Sequence, residues 1–303
     1  MPTSRYPLTP VAVALAVALA LGGCDSSYST IEDEAPELPP PTIELTADLA
    51  AAVATALAVA PGGALNDLAE AVSMAGTPAA APGCDLSRAY DEATQMWTRD
   101  IACERGSADG AFYALFARTH HLRFLDASGT PQQQPTDAAS MDVALVAGEG
   151  LHRTPRRSHT LTDIGAALSV AGLPGPMVTV NGTSGRAATD TLGAPAAGTF
   201  RTHTYAVALA FEDVVGPRRA LDLGMSPTPH LGPLHAWWAR ALSGTVQGEI
   251  AGTMTAVTPN GTRERTYART FTLTFGSERE ATATLRFPDA TFTIDLETGA
   301  VRG

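Results

Sequence analysis

The 303-residue chain has no lysine; all 20 of its basic residues are arginine. That absence removes Schiff-base catalysis, Ser-x-x-Lys nucleophile pairs and the phosphate-binding lysine of a P-loop. Basic residues are also outnumbered, at 20 against 31 acids, and the formal net charge of −11 disfavours nucleic acid and anionic headgroups as partners. The sequences His-Glu-x-x-His, Cys-x-x-Cys and Gly-x-Ser-x-Gly do not occur, so zinc-hydrolase and serine-hydrolase readings have no motif behind them. Neither a catalytic residue, a metal site nor a cofactor is assigned from the sequence. A hydrolase built on paired carboxylates needs only two acids that meet in space, and stays as an alternative.

Cysteine is scarce as well. There are three, Cys24, Cys84 and Cys103. If Cys24 is set aside, Cys84 and Cys103 form an even pair, expected as a structural disulfide in an exported chain. A loop of that length stabilises a fold by about 3 kcal/mol in the chain-entropy model.

Long apolar runs are missing too, with one short exception at the start. Arg5 is the single charge before Cys24, and the segment from Leu8 to Leu21 is Ala, Val and Leu apart from Thr9 and Pro10. It has the basic and hydrophobic regions of a secretory signal and is too short for a transmembrane helix, which needs about 20 apolar residues. The sequence Leu21-Gly22-Gly23-Cys24 resembles the bacterial lipobox. That resemblance implies cleavage before Cys24, acylation of its thiol and amine, and a bacterial envelope protein partnered to a bilayer through its acyl chains. Asp25 resembles the inner-membrane retention signal of enterobacterial lipoproteins, whereas Glu32-Asp33-Glu34 is similar to the acidic export tags of surface lipoproteins in other bacteria. The inner and outer membranes both stay open, as do the periplasm and the cell surface.

Residues 1–23 thus read as a signal peptide and 24–43 as an acidic, Pro-rich tether ending in Pro39-Pro40-Pro41. Residues 44–303 read as one domain. It opens with two helices. Leu45, Leu49, Val53 and Leu57 recur at helical spacing up to Pro61-Gly62-Gly63, with Thr46 as N-cap, and Leu65, Leu68 and Val72 mark a second helix over Ala64 to Met74.

From Tyr90 the apolar period becomes two. Strands are expected over Tyr90–Glu104, Ala111–Asp126 and Phe200–Phe211, with a turn at 106–110. Hairpins are expected at Thr154-Pro155 and at Leu173-Pro174-Gly175-Pro176, although Ile164 and Leu168 among alanines also fit a helix. The segment from Gly216 to Pro233 reads as a long loop. Toward the end, Val246, Ile250 and Met254 lead to a hairpin at Asn260-Gly261. Tyr267, Phe271, Leu273 and Phe275 follow on one face, then Ala281, Ala283, Leu285 and Phe287. A turn at Pro288-Asp289 leads to Phe292, Ile294 and Leu296. The fold class is therefore mainly β (α+β), a long antiparallel meander with the two helices packed on it. Its apolar face needs a cover, from a second sheet, barrel closure or the helices.

Trp237 and Trp238, preceded by His235 and a Pro-rich loop, are the candidate binding residues, since tryptophan suits sugar stacking, lipid contact or a partner surface. Packing at the edge of the core is the bland alternative. His120 and His121 are neighbours on a strand and point to opposite faces, so they do not chelate one metal. His230 lies near His235, His152 and His159 lie further apart, and His203 shares a face with Tyr205 and Val207. Arg153, Arg156 and Arg157 mark a hairpin tip that either meets an acidic partner or is simply solvated. The Asn181-Gly182-Thr183 and Asn260-Gly261-Thr262 sequons read as turns. Two functions follow. One is a non-enzymatic envelope lipoprotein that binds a protein or glycan partner or is structural. The other is a carrier of lipid or another apolar ligand, because helices over a curved antiparallel sheet resemble the half-barrels of lipoprotein-sorting and lipid-binding lipoproteins.

Overall fold

Alternating apolar residues can bury one face of a strand only if neighbouring strands present the same face, and the described residues form thirteen strands in one sheet, most of which do so. The computed structural model describes residues 45–58, 63–72, 84–134, 136, 138–173, 175–217, 241–276 and 281–303. Every element below lies within Leu38–Gly303. Two helices, α1 (Leu45–Leu57) and α2 (Ala64–Val72), precede the strands. These are β1 (Cys84–Asp91), β2 (Met96–Gly106), β3 (Tyr113–Leu125), β4 (Pro131–Gln132), β5 (Ser140–Thr154), β6 (Arg157–Ala171) and β7 (Met177–Ala194). Then come β8 (Thr199–Pro217), β9 (Ser243–Thr258), β10 (Gly261–Phe275), β11 (Thr282–Arg286), β12 (Thr291–Asp295) and β13 (Val301–Arg302). All described pairings are antiparallel, and the sheet follows chain order except that short β4 pairs only with β3. The structure is mainly β with two N-terminal helices, as the apolar patterning implies.

The cover of the sheet is the pair of helices. Leu49, Val53 and Leu57 of α1 and Leu65 and Leu68 of α2 are buried in one cluster with Val207, Val246, Ile250, Leu273, Leu285 and Ile294 of the sheet. Helix α1 touches β8 on one side and β12 and β13 on the other. Strands lie about 4.8 Å apart, so β8 and β13 would be about 24 Å apart in a flat sheet, about twice the width of a helix. The sheet must therefore curl around α1, with an inner face toward the helices.

Helix α2 is pinned by charge. Asp67 is buried between Arg118 of β3 at 3.4 Å and Arg186 of β7, both of them buried. His120, two residues along β3 and on the same face, is fully buried, and neither ring nitrogen has a hydrogen-bond partner. Burial pushes its pKa down to about 4, which keeps the ring neutral.

Cys84 and Cys103 stand opposite each other on β1 and β2 and are disulfide-bonded. Such a bond suits an extracytoplasmic, oxidising compartment.

Several local expectations are corrected. The run from Tyr90 to Glu104 is two strands, because Asp91 turns the chain: its carboxylate accepts from Ala93 N at 2.9 Å and Thr94 Oγ1 at 2.8 Å. Thr46 lies inside α1 and is not its N-cap. Ile164 and Leu168 are in β6, so the helical alternative for that segment falls. Asn181-Gly182-Thr183 is not a turn but a bulge within β7, where the register with β8 shifts between Val180 and Gly182. There Gly182 has φ +124°, and a Cβ on it would lie 2.1 Å from the Ala167 carbonyl oxygen. The β9–β10 hairpin pairs Thr258 with Gly261, so its central residues are Pro259 and Asn260 rather than Asn260 and Gly261. Proline fixes φ near −65°, which suits the first central position of an ordinary turn and not of a primed one.

Candidate functional site

Four hairpin tips, β2–β3, β5–β6, β7–β8 and β9–β10, lie at one end of the sheet, and there the described residues do not fully cover the inner face. Strand register sets which side chains meet. On the inner face Ala114 of β3 is opposite His152 of β5, His152 opposite His159 of β6, His159 opposite Asp190 of β7, and Asp190 opposite His203 of β8. Three histidines and an aspartate thus stand in one row across four strands, with Ala114 next in the row on β3. Directly opposed residues have Cβ atoms about 4.5–5.5 Å apart.

On the β8 side of this row the site is polar. Arg157 Nε and Nη2 donate to the two carboxylate oxygens of Asp190 at 3.0 and 2.7 Å. Asp48 of α1 pairs with Arg201, which ties the first turn of α1 to this end of the sheet. His203 Nε2 meets the hydroxyl of Tyr267, and its ring lies 4.6 Å from that of Tyr205. Burial pushes the His203 pKa down to about 4 and raises those of Tyr205 and Tyr267. A small cavity of about 100 Å³ lies between α1 and these strands.

On the β3 side the site is apolar. A cleft of about 400 Å³ opens between β2, β3, β5 and β6, walled by Cys103, Ala114, Phe116, Gly150 and Leu161. Its volume is within the range of small-molecule sites. The charged and titratable residues lining it are Arg105, His152 and His159, and none is acidic. Arg105 and His152 are exposed, which places them at the mouth. His159 is half-buried, its Nδ1 has no hydrogen-bond partner, and burial lowers its pKa. Large apolar side chains are also exposed at this end, Phe112 (65 %) in the β2–β3 connection and Leu192 (55 %) on β7.

The residues singled out from the sequence distribute unevenly around this site. His152, His159 and His203 come together in the row. His120 and His121 point to opposite faces as expected, the first buried near Asp67 and the second on the outer face. The arginine tip does not act as a cluster: Arg153 donates to the carbonyls of Ala108 and Gly110, and Arg157 is held by Asp190. Trp237, Trp238, His235 and His230 lie outside the described residues, as do Cys24, the tether and most of the expected 216–233 loop. Among the described residues no group of three or more His, Cys, Asp or Glu has the geometry to hold a metal ion. No helix among them is long and apolar enough to cross a membrane. The sequence reading did not single out Arg105, Ala114, Phe116, Leu161 or Asp190. One signal was present: a hairpin closing at Thr154 and Arg157 necessarily sets residue 152 opposite 159.

No family model, no curated protein and no solved structure matches this chain.

Proposed function

We propose that the chain is a lipid-anchored protein of the bacterial envelope whose β domain binds an apolar ligand without transforming it. The observation that carries this reading is the apolar cleft at the end of the inner face, where Phe116 and Leu161 form an apolar wall inside a mouth that carries Arg105 and His152. Elsewhere residues of α1 and α2 are buried against that face. The anchor reading rests on the lipobox-like residues 21–24. Helix α1 begins at the cleft end, where Asp48 meets Arg201. The carboxylates in the polar part, Asp48 and Asp190, are each taken up by an arginine. That is the arrangement of structural ion pairs and gives little support to a paired-carboxylate hydrolase.

The test is to express the full chain carrying Cys24→Ala, purify it without detergent, extract it with organic solvent and analyse the extract by mass spectrometry. A stoichiometric apolar molecule is expected, and its absence from a folded preparation counts against the reading. The parent chain is expected to resist carbonate washing of membranes while Cys24→Ala does not.

A second reading, a protein or glycan partner, is favoured by the outer face. There Gly165, Ala167, Gly185, Ala187, Ala206 and Ala208 leave a shallow depression of about 650 Å³ across β6–β9. Small side chains let another backbone approach closely. Crosslinking in intact envelopes tests it, with adducts on β7 and β8 expected.

A further inference from the structure

The chemistry of the cleft narrows the ligand, on the reading that it binds an apolar molecule at all. In a chain with net charge −11, a depression whose charged and titratable lining is Arg105, His152 and His159 stands apart electrostatically. The apolar wall and the polar groups are also segregated. Phe116 and Leu161 line the interior, while Arg105 and His152 are exposed at the mouth. Between them lies His159, a half-buried residue of the lining. A cationic ligand is opposed by Arg105. A ligand with an apolar body and one anionic head satisfies both ends.

We propose that the cleft binds a monocarboxylate of the fatty-acid type, its chain against Phe116 and Leu161 and its carboxylate held at the mouth by His152 and Arg105. The arginine supplies a charge-assisted hydrogen bond. The exposed Phe112 and Leu192 give this end of the domain an apolar surface over which such a molecule can enter.

The test uses the full chain with Cys24→Ala, stripped of co-purified ligand and titrated calorimetrically with decanoate and, in parallel, with decanol. Decanoate is expected to bind one-to-one and at least about tenfold more tightly than decanol, the factor of one charge-assisted hydrogen bond. Ala114→Trp, which fills the cleft from a partly exposed position, is expected to abolish binding of both. Arg105→Gln, at an exposed position, is expected to weaken decanoate by about tenfold and leave decanol unchanged. Equal affinity for the two ligands overturns the carboxylate assignment but leaves the apolar-ligand reading standing. Failure of both to bind overturns the two together. Unchanged decanoate binding in folded Ala114→Trp shows that the site is elsewhere.

Discussion

Replacing Asp67 with asparagine is expected to be among the most damaging single changes in the domain. One carboxylate from α2 meets guanidinium groups from β3 and β7, and the side chains of all three are at least 96 % buried. Arg118 also donates from Nη1 to the carbonyls of Ala117 at 2.6 Å and Glu149 at 2.7 Å, so its position is fixed by the sheet and it cannot swing out to water. Arg186 is likewise bound to Ser184 and to the Gly185 carbonyl. Deleting the negative charge therefore leaves two immobilised cations in the interior beside it. Removing one partner of a buried pair costs about 3–5 kcal/mol, a large part of the about 5–15 kcal/mol that a domain has in total. Urea denaturation followed by tryptophan fluorescence reads the change, since the ring of Trp97 packs against the core. Asp67→Asn keeps the shape, so its loss reports charge, and Asp67→Leu adds the loss of hydrogen bonding. A loss below about 1 kcal/mol for Asp67→Asn would mean that Asp67 does not pin α2, because that is the scale of a solvated surface pair.

Three further outcomes follow from particular residues. His120 is neutral when folded, with a pKa of about 4 against 6.5 for the free side chain, so the unfolded chain binds more protons between those values. Stability is therefore fully present above pH 6.5 and falls as pH drops toward 4, by up to about 3 kcal/mol from this group, and His120→Leu is expected to flatten that part of a stability-against-pH curve. Reducing the Cys84–Cys103 bond, or replacing both cysteines with serine, is expected to cost about 3 kcal/mol in chemical denaturation. Gly182→Ala is expected to lower the melting temperature by several degrees, because the new Cβ meets the Ala167 carbonyl and backbone strain of this kind costs about 1–3 kcal/mol; an unchanged melting temperature would mean that the β6–β7–β8 region relaxes freely.

Much of the sheet was legible because an antiparallel strand buried on one face writes its pattern directly into the chain. Tyr267, Phe271, Leu273 and Phe275, and Ala281, Ala283, Leu285 and Phe287, are buried on the inner side as their spacing implies. The misreadings arose where side chains did the work of turn residues or where turn residues did other work. Glu92 to Gln95 contain neither glycine nor proline, and the turn there is made by the Asp91 carboxylate, with Gln95 at φ +54°. Asn181-Gly182 carries a turn signature yet sits mid-strand, because Asn181 exchanges hydrogen bonds with Asp213 on β8. The cleft was not legible as a whole, since its walls come from four strands whose register depends on bulges in β3–β5 and β6–β7. His152 and His159 look distant in sequence and become neighbours only when the hairpin closes.

The central claim is that ligand enters the inner-face cleft, and photo-crosslinking measures this most directly. A decanoic acid bearing a diazirine near its methyl end, incubated with the Cys24→Ala chain, irradiated and mapped by peptide sequencing, is expected to label segments 113–117 and 150–161, and excess decanoate is expected to suppress the labelling. Labels confined to the outer face of β7 and β8, with none in those two segments, would contradict it.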